Sequence, residues 1–268
     1  MFFLTNRRAG RGQFVDCDGH GTHVAGLIAG QRYGVAKQAR VRSYRALDCT
    51  GSGQLSDLAS ALLAVAAAVP TARSSVVNLS LEYLSDDPTI DAIVALLQQD
   101  GVTVVAAAGN DGQSACSNPS IDSGVVAVGA STAFDAVASY SDFGTCVDVF
   151  APGDQLLSDW LGGGTRVLSG TSMACGVVTG AVALYLQSAP SATPAQVLSH
   201  LQSTATVGAL SNAGAIQNRL LYVGDPSISG GGGSGAPAPP PALMSSSSAL
   251  PSWAPLAAAF GSLLWTLG

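Results

Sequence analysis

Ser169-Gly170-Thr171-Ser172-Met173-Ala174 runs straight into Cys175-Gly176-Val177-Val178-Thr179-Gly180-Ala181-Val182-Ala183-Leu184-Tyr185-Leu186. The second part carries no charge and is built from small and apolar residues. It reads as a buried helix whose Gly176, Gly180 and Ala181 let neighbours approach closely. Gly170 permits a tight turn ahead of it, and Ser172 falls at the helix start. A hydroxyl there sits at the positive end of a helix, beside free backbone N–H groups. Those surroundings suit a nucleophile that must carry and discharge an oxyanion. They suit an ordinary N-cap equally well. The stretch by itself leaves both readings open.

A second small-residue helix is expected upstream. Asp18-Gly19-His20-Gly21-Thr22-His23 leads into Val24-Ala25-Gly26-Leu27-Ile28-Ala29-Gly30, with His20 in the first turn. Apolar runs at residues 41–47, 75–81, 102–107, 125–128 and 146–150 read as strands. Residues 56–69 and 88–99 read as helices, the first opened by Ser56-Asp57, the second by Pro88 and closed by Gly101. Strands alternating with helices at this spacing imply an α/β fold with a mostly parallel sheet flanked by helices. Sites in such sheets form at the carboxyl ends of strands, and Asn110 lies just past one of them.

A chain of 268 residues, 47% hydrophobic and only 10% charged, is long enough for one large domain with a well-buried core. A net charge of −6 argues against nucleic acid as a partner. The basic residues Arg7, Arg8, Arg11, Arg32, Lys37, Arg40, Arg42 and Arg45 gather toward the N-terminus. They read as a solvated face or, as the weaker alternative, a binding patch. Of the five cysteines, Cys17, Cys49, Cys116 and Cys146 fit two disulfides in an oxidising compartment, with Cys175 left over. Spacing alone does not fix the pairing. No CxxC pair or His-rich cluster points to a metal.

The organisation expected is an irregular basic stretch at 1–15, one domain over 16–224, a Gly/Pro/Ser-rich linker at 225–248 and an apolar tail at 249–268. The tail, with small residues near Ser245 and Ser246 and a spacer, matches the logic of a GPI anchor signal, hence of attachment to a membrane surface. A low-complexity tail or a weak membrane anchor are the other readings. Residues 1–4 are too short an apolar run for a signal peptide, so the natural protein is expected to begin upstream of Met1.

Three elements converge on chemistry. His20 titrates near neutrality and suits a general base, Ser172 is the nucleophile candidate, and Asn110 has a side-chain amide to offer a developing oxyanion. His20 and His23 could instead be a metal pair, but no third ligand is evident. Gly19-His20-Gly21-Thr22-His23-Val24-Ala25-Gly26 and Gly170-Thr171-Ser172-Met173-Ala174 resemble the histidine and serine motifs of the subtilisin-like serine proteases. Ala107-Ala108-Gly109-Asn110 is similar to the family's oxyanion-asparagine motif. Tyr33-Gly34-Val35-Ala36-Lys37, Leu47-Asp48-Cys49-Thr50-Gly51-Ser52-Gly53 and Cys146-Val147-Asp148-Val149-Phe150-Ala151-Pro152-Gly153 are similar to the framework of its proteinase K-like branch. The resemblance covers residues 16–221.

The resemblance implies that His20 takes the proton of Ser172, which attacks a peptide carbonyl. Asn110 and the Ser172 N–H then hold the oxyanion. Leu79, Ser80 and Leu81, with Ala107, Ala108 and Gly109, would line the substrate, Leu79 to Leu81 as an edge strand. It implies the disulfides Cys17–Cys49 and Cys116–Cys146, and it matches a structural calcium site at Asp148 with the carbonyls of Ser123 and Val125. No cofactor is otherwise required. The expectation is a secreted or surface-anchored serine endopeptidase, a monomer acting on protein or peptide substrates. The alternative is an inactive relative that binds a protein segment.

Three departures qualify this. Only nineteen residues precede His20, and none forms the Asp-Ser/Thr-Gly strand of the family's triad, so the triad aspartate and the first strand of the sheet are expected to be missing. Asp16 and Asp18 lie too close to His20 to stand in. Cys175 replaces part of a Thr-Pro-His-like run; it reads as a buried small residue or as a thiol that makes activity reagent-sensitive. Glu82 stands where the family pattern has Gly, which puts a charge beside the substrate strand. The glycosylation triplet at Asn78 falls in an expected buried strand and is discounted.

Overall fold

The structure is a computed structural model that describes residues 2–4, 16–68, 74–83, 85, 87–121, 124–213 and 217–224. In chain order the elements are β1 (Phe2–Leu4), α1 (His20–Ala29), β2 (Val41–Ser43), α2 (Leu55–Ala68), β3 (Val76–Leu79), α3 (Pro88–Gln99), β4 (Thr103–Ala107) and β5 (Val126–Ser131). They continue with β6 (Val149–Pro152), β7 (Leu156–Asp159), β8 (Thr165–Leu168), α4 (Thr171–Ser188), α5 (Pro194–Thr204), β9 (Thr206–Val207) and β10 (Arg219–Leu220). Eight strands form one sheet in the order β2-β1-β3-β4-β5-β6-β10-β9, and β7 with β8 forms a separate hairpin. β3 through β6 and β10 run parallel.

The expected α/β architecture is present, with one correction. The stretch read as irregular holds a short strand: β1 lies between β2 and β3 and pairs antiparallel with both, but it carries no aspartate and is not the Asp-bearing strand expected to be missing. Three residues of apolar sequence give no periodic signal, so pairing with the two neighbours decides this element. Some strands are also shorter or shifted. β2 stops at Ser43 because the chain then turns around Asp48, whose carboxylate accepts from the N–H groups of Thr50 and Ser52. β6 begins at Val149, after the turn in which Val147 N–H donates to the Gly144 carbonyl.

The strands bury both faces, as a parallel sheet covered on two sides must. Alternation sends Val77, Leu79, Val104 and Ala106 to one core with Leu58, Leu62, Ile90 and Leu97 of α2 and α3. It sends Val76, Val105, Val126 and Val128 to the other core with Val24 and Ile28 of α1, Val178 and Val182 of α4 and Val197 of α5. Full burial of each such side chain stabilises by about 2 kcal/mol. The opening stretch is α4, an 18-residue helix buried on nearly all sides. At Gly176 an added Cβ would sit 3.2 Å from a Val24 methyl, and at Gly180 it would run into Val35. Glycine at these places therefore sets how closely α4 crosses α1. α5 opens with the reciprocal Thr193–Gln196 capping box and Pro194 in its first turn, a start signal visible in the sequence. The linker at 225–248, the tail with its anchor signal, and Ser123 lie outside the described residues. No described helix is long and apolar enough to cross a membrane.

Candidate active site

β3 and β4 pair with Leu79 opposite Ala106, and the chain leaves their carboxyl ends side by side. The first turn of α4 meets both exits. Ser172, second residue of α4, is fully buried, and its hydroxyl donates to the Ser80 carbonyl at 3.5 Å. In return the Ser80 hydroxyl donates to the Ser172 carbonyl at 2.8 Å. Behind them Asn78, in β3, donates from Nδ2 to Ser80 Oγ at 3.0 Å and accepts from Thr179 Oγ1 at 2.9 Å. This buried chain of hydrogen bonds fixes the nucleophile candidate against the segment expected to bind substrate. A buried polar network of this kind holds one arrangement because breaking any link strands a polar group. Asn78 is wholly buried, as the discounted glycosylation triplet requires.

On the β4 side, Thr171 organises Asn110. The Thr171 N–H donates to Asn110 Oδ1 at 2.8 Å, and the Thr171 hydroxyl lies 3.2 Å from the same oxygen. Asn110 Nδ2 is buried and has no hydrogen-bond partner. Such an orphan donor is costly unless something external accepts from it. Its presence beside Ser172 is what an oxyanion donor would look like before substrate arrives. Gly109, with φ of 113°, lets the chain turn here, and a Cβ would collide with the Asp142 carboxylate. Asp142 Oδ1 in turn accepts from the N–H groups of Asp111 and Gln113 at 3.0 and 2.8 Å and so clamps the loop.

His20 opens α1. Gly19 precedes it with φ of 105°, and a Cβ there would strike the Trp160 ring. Asp16 caps the turn: Oδ1 accepts from Asp18 and Gly19 N–H, and Oδ2 from Thr22 N–H and hydroxyl. Asp18 accepts from the His20 N–H. Both carboxylates are therefore held by backbone, and no described carboxylate hydrogen-bonds the His20 ring. His20 Nε2 is buried without a hydrogen-bond partner. Burial pushes the imidazole down to about 4, so it is neutral at physiological pH and able to accept a proton. A cavity of about 490 Å³ lies between His20 and the small face of α1 on one side and Tyr44, Ser80 and Leu81 on the other.

The remaining expected site residues fall as follows. Leu79 is the last residue of β3, a central strand, with its side chain in the core. It does not form an open edge, because β1 and β4 flank β3; the free segment begins at Ser80. Ala107 and Ala108 are buried at the end of β4, the second accepting from Asn118 Nδ2 at 2.8 Å. The disulfides are Cys17–Cys49 and Cys116–Cys146. Cys175 is free and fully buried, its thiol donating to Asn78 Oδ1 at 3.2 Å. His23 does not pair with His20 on a metal: its Nε2 lies 3.1 and 3.0 Å from the carbonyls of Leu156 and Arg166 and ties α1 to the β7–β8 hairpin.

Asp148 belongs to the expected calcium site. Its Oδ2 accepts from Ala127 N–H at 3.0 Å and its Oδ1 from Gln202 Nε2 at 3.1 Å. Calcium takes six to eight oxygens, mostly anionic or carbonyl. Here the carboxylate accepts one hydrogen bond on each oxygen, and of the two expected carbonyl ligands Val125 is described while Ser123 lies outside the described residues. Thr171, Asn78, Asp16 and Asp142 emerge as positioning groups. Only the contiguity of Thr171 with Ser172 could have pointed to one of them in the sequence.

A subtilase family model matches residues 5–231. The chain belongs to the subtilase family. This subtilase is 45% identical over 215 residues to the extracellular serine proteinase of Thermus sp. (strain Rt41A), covering 79% of this chain and 52% of that protein. It is 43% identical over 208 residues to alkaline serine exoprotease A of Vibrio alginolyticus, covering 77% of this chain and 38% of that protein. It is 38% identical over 203 residues to proteinase R of Parengyodontium album, covering 74% of this chain and 51% of that protein. It thus spans about half or less of the length of these relatives. The crystal structure of a cold-adapted subtilisin-like serine proteinase matches the fold with a TM-score of 0.75 at 41% identity, over 78% of this chain and 76% of that one.

Proposed function

We propose that this subtilase forms an acyl-enzyme on Ser172 from a peptide carbonyl, as a serine endopeptidase does. His20 accepts the Ser172 proton through its neutral ring. The Ser172 N–H at the α4 terminus and Asn110 Nδ2 hold the oxyanion. The peptide lies along residues 80–83 and in the cavity beside His20. The observation that carries this reading is the buried, unpartnered Asn110 Nδ2, held next to Ser172 by Thr171. The names of two relatives, an extracellular serine proteinase and an alkaline serine exoprotease, support a serine protease. Two disulfides, and a relative named extracellular, support secretion. Attachment to a membrane through residues 249–268 is proposed on their apolar sequence alone.

A second reading is favoured by the His20 ring, which has no described carboxylate to orient it. Loss of that partner lowers turnover by about four orders of magnitude in triads of this type. The cleft then binds a peptide segment without cutting it at a useful rate. Incubation of the chain with a fluorophosphonate, followed by mass mapping, tests the proposal. A single adduct on Ser172, absent in Ser172→Ala and slowed in His20→Ala, is expected. No adduct on Ser172 in folded protein overturns the endopeptidase reading and leaves the binding one.

A further inference from the structure

We propose that the Cys17–Cys49 bridge is a thiol-exchange site: a dithiol opens it before Cys116–Cys146, and its opening frees the turn that carries His20 from the opposite wall of the cavity. The inference stands apart from the reading of Ser172 as a nucleophile. Two turns meet at this bridge. One holds Cys17 between Asp16 and Asp18, and Asp16 Oδ1 accepts from the N–H groups of Asp18 and Gly19 just ahead of His20. The other holds Cys49 beside Asp48, whose Oδ1 accepts from the Thr50 and Ser52 N–H groups at 2.8 and 3.2 Å. Each turn is thus closed by its own aspartate. Cys17, His20, Asp48 and Gly51 all line the cavity of about 490 Å³. Among the described residues, two links join 16–22 to 44–52. They are the bridge itself and a hydrogen bond onto it, from Arg45 Nη1 to Cys17 Sγ at 3.5 Å.

Arg45 is what separates the two bridges. The cysteines of both are exposed, so access does not choose between them. Their loops span sequence separations of 32 and 30, so closure entropy does not choose either. The neighbours of the sulfurs differ. Cys17 Sγ accepts from a guanidinium, whereas Cys116 Sγ has the neutral hydroxyl of Thr145 at 3.6 Å. A cation beside a sulfur favours its thiolate, and a sulfur that is stable as a thiolate leaves faster in exchange. One thiolate of the reagent attacks Cys49 Sγ. The S–S bond breaks, and its electron pair leaves with Cys17 as a thiolate beside Arg45. The second sulfur of the reagent then attacks the mixed disulfide on Cys49, and the reagent departs as a cyclic disulfide. Two electrons and two protons pass from the dithiol to the bridge. Once the bridge is open, the 16–22 turn keeps its Asp16 bonds but loses its tie to the 44–52 wall.

The test exposes the folded full chain to dithiothreitol at pH 8, quenches samples at intervals with iodoacetamide and locates the alkylated cysteines by mass mapping. Alkylation at Cys17 and Cys49 is expected to appear about tenfold faster than at Cys116 and Cys146. Arg45→Gln should bring the two rates to within about threefold, while Arg45→Lys, which keeps a cation, should retain most of the preference; circular dichroism checks that both variants fold. Hydrogen exchange on the alkylated product reads the consequence: the N–H groups of residues 18–22 should exchange about tenfold faster, with those in the middle of α4 unchanged. Equal rates for the two bridges, an earlier opening of Cys116–Cys146, or a preference that survives in Arg45→Gln overturns the proposal. So does unchanged exchange at residues 18–22. Loss of the folded spectrum when this bridge alone opens overturns it as well, because the bridge then staples the whole fold. None of these outcomes depends on whether Ser172 labels, so the endopeptidase reading stands or falls separately.

Discussion

The backbone N–H of Thr171 donates to Asn110 Oδ1 at 2.8 Å, and this bond aims the other end of the amide away from the protein's own acceptors. Asn110→Asp keeps an acceptor for Thr171 and removes the donor. It should slow fluorophosphonate labelling of Ser172 by about 10²–10³, the usual effect of deleting one oxyanion donor. The melting temperature should move by no more than about 4 °C, because the positioning bond remains. A labelling rate unchanged in this variant would remove Asn110 from the chemistry.

The His20 ring gives a pH signature. Burial holds its folded value at about 4, against about 6.5 in an unfolded chain. The neutral, proton-accepting ring is thus the main form above about pH 5, so labelling of Ser172 should stay level from pH 8 to 5 and fall below that. For stability the sign is set by the unfolded chain binding the proton first. The neutral ring's contribution is complete above about pH 6.5 and is lost as pH falls toward 4. Urea midpoints measured across that window should decline more steeply for the unaltered chain than for His20→Asn.

Cys175 should be silent. Burial pushes its thiol up to about 12, and the proton is donated to Asn78. A disulfide-exchange reagent at pH 8 is expected to leave the native chain unmodified and to titrate one thiol after denaturation without reductant. Rapid native labelling would show that α4 opens locally.

Asp148 is stabilised from within by Gln202. Gln202→Ala removes the donor to Oδ1 and should lower the melting temperature by about 3 °C, the scale of one hydrogen bond to a charged group. Adding calcium or a chelator should leave the melting temperature of the unaltered chain within about 1 °C, since only a ligand bound to the folded state shifts it. A calcium-dependent rise would show that the ion displaces Gln202.

The sequence makes the helices carrying His20 and Ser172 legible because their small residues and unbroken apolar faces leave one structural solution. Val104 to Ala107 and Val126 to Val128 are equally plain, since strands buried on both faces need no alternation. β1 is not legible: a strand of three residues exists only by virtue of its two partners. The hydrogen bond from Gln202 to Asp148, 54 residues apart, and the reach of Asn78 to Thr179 are tertiary facts with no local trace. Asp16 shows the opposite case. Its closeness to His20 disfavours it as a triad acid, and the structure occupies it with the N–H groups of the turn. The exposed edge expected at Leu79 fails because neighbouring strands, not the sequence of β3, decide which residues lie at an edge.

The disulfides Cys17–Cys49 and Cys116–Cys146 each close a loop, spanning sequence separations of 32 and 30. A peptide bond cut inside either loop breaks the chain but separates nothing, because the two new ends remain covalently joined. In a preparation that digests itself, molecules nicked there would migrate as whole ones until a reductant is added. Apparent intactness on a non-reducing gel is therefore no measure of how many molecules have already been cut.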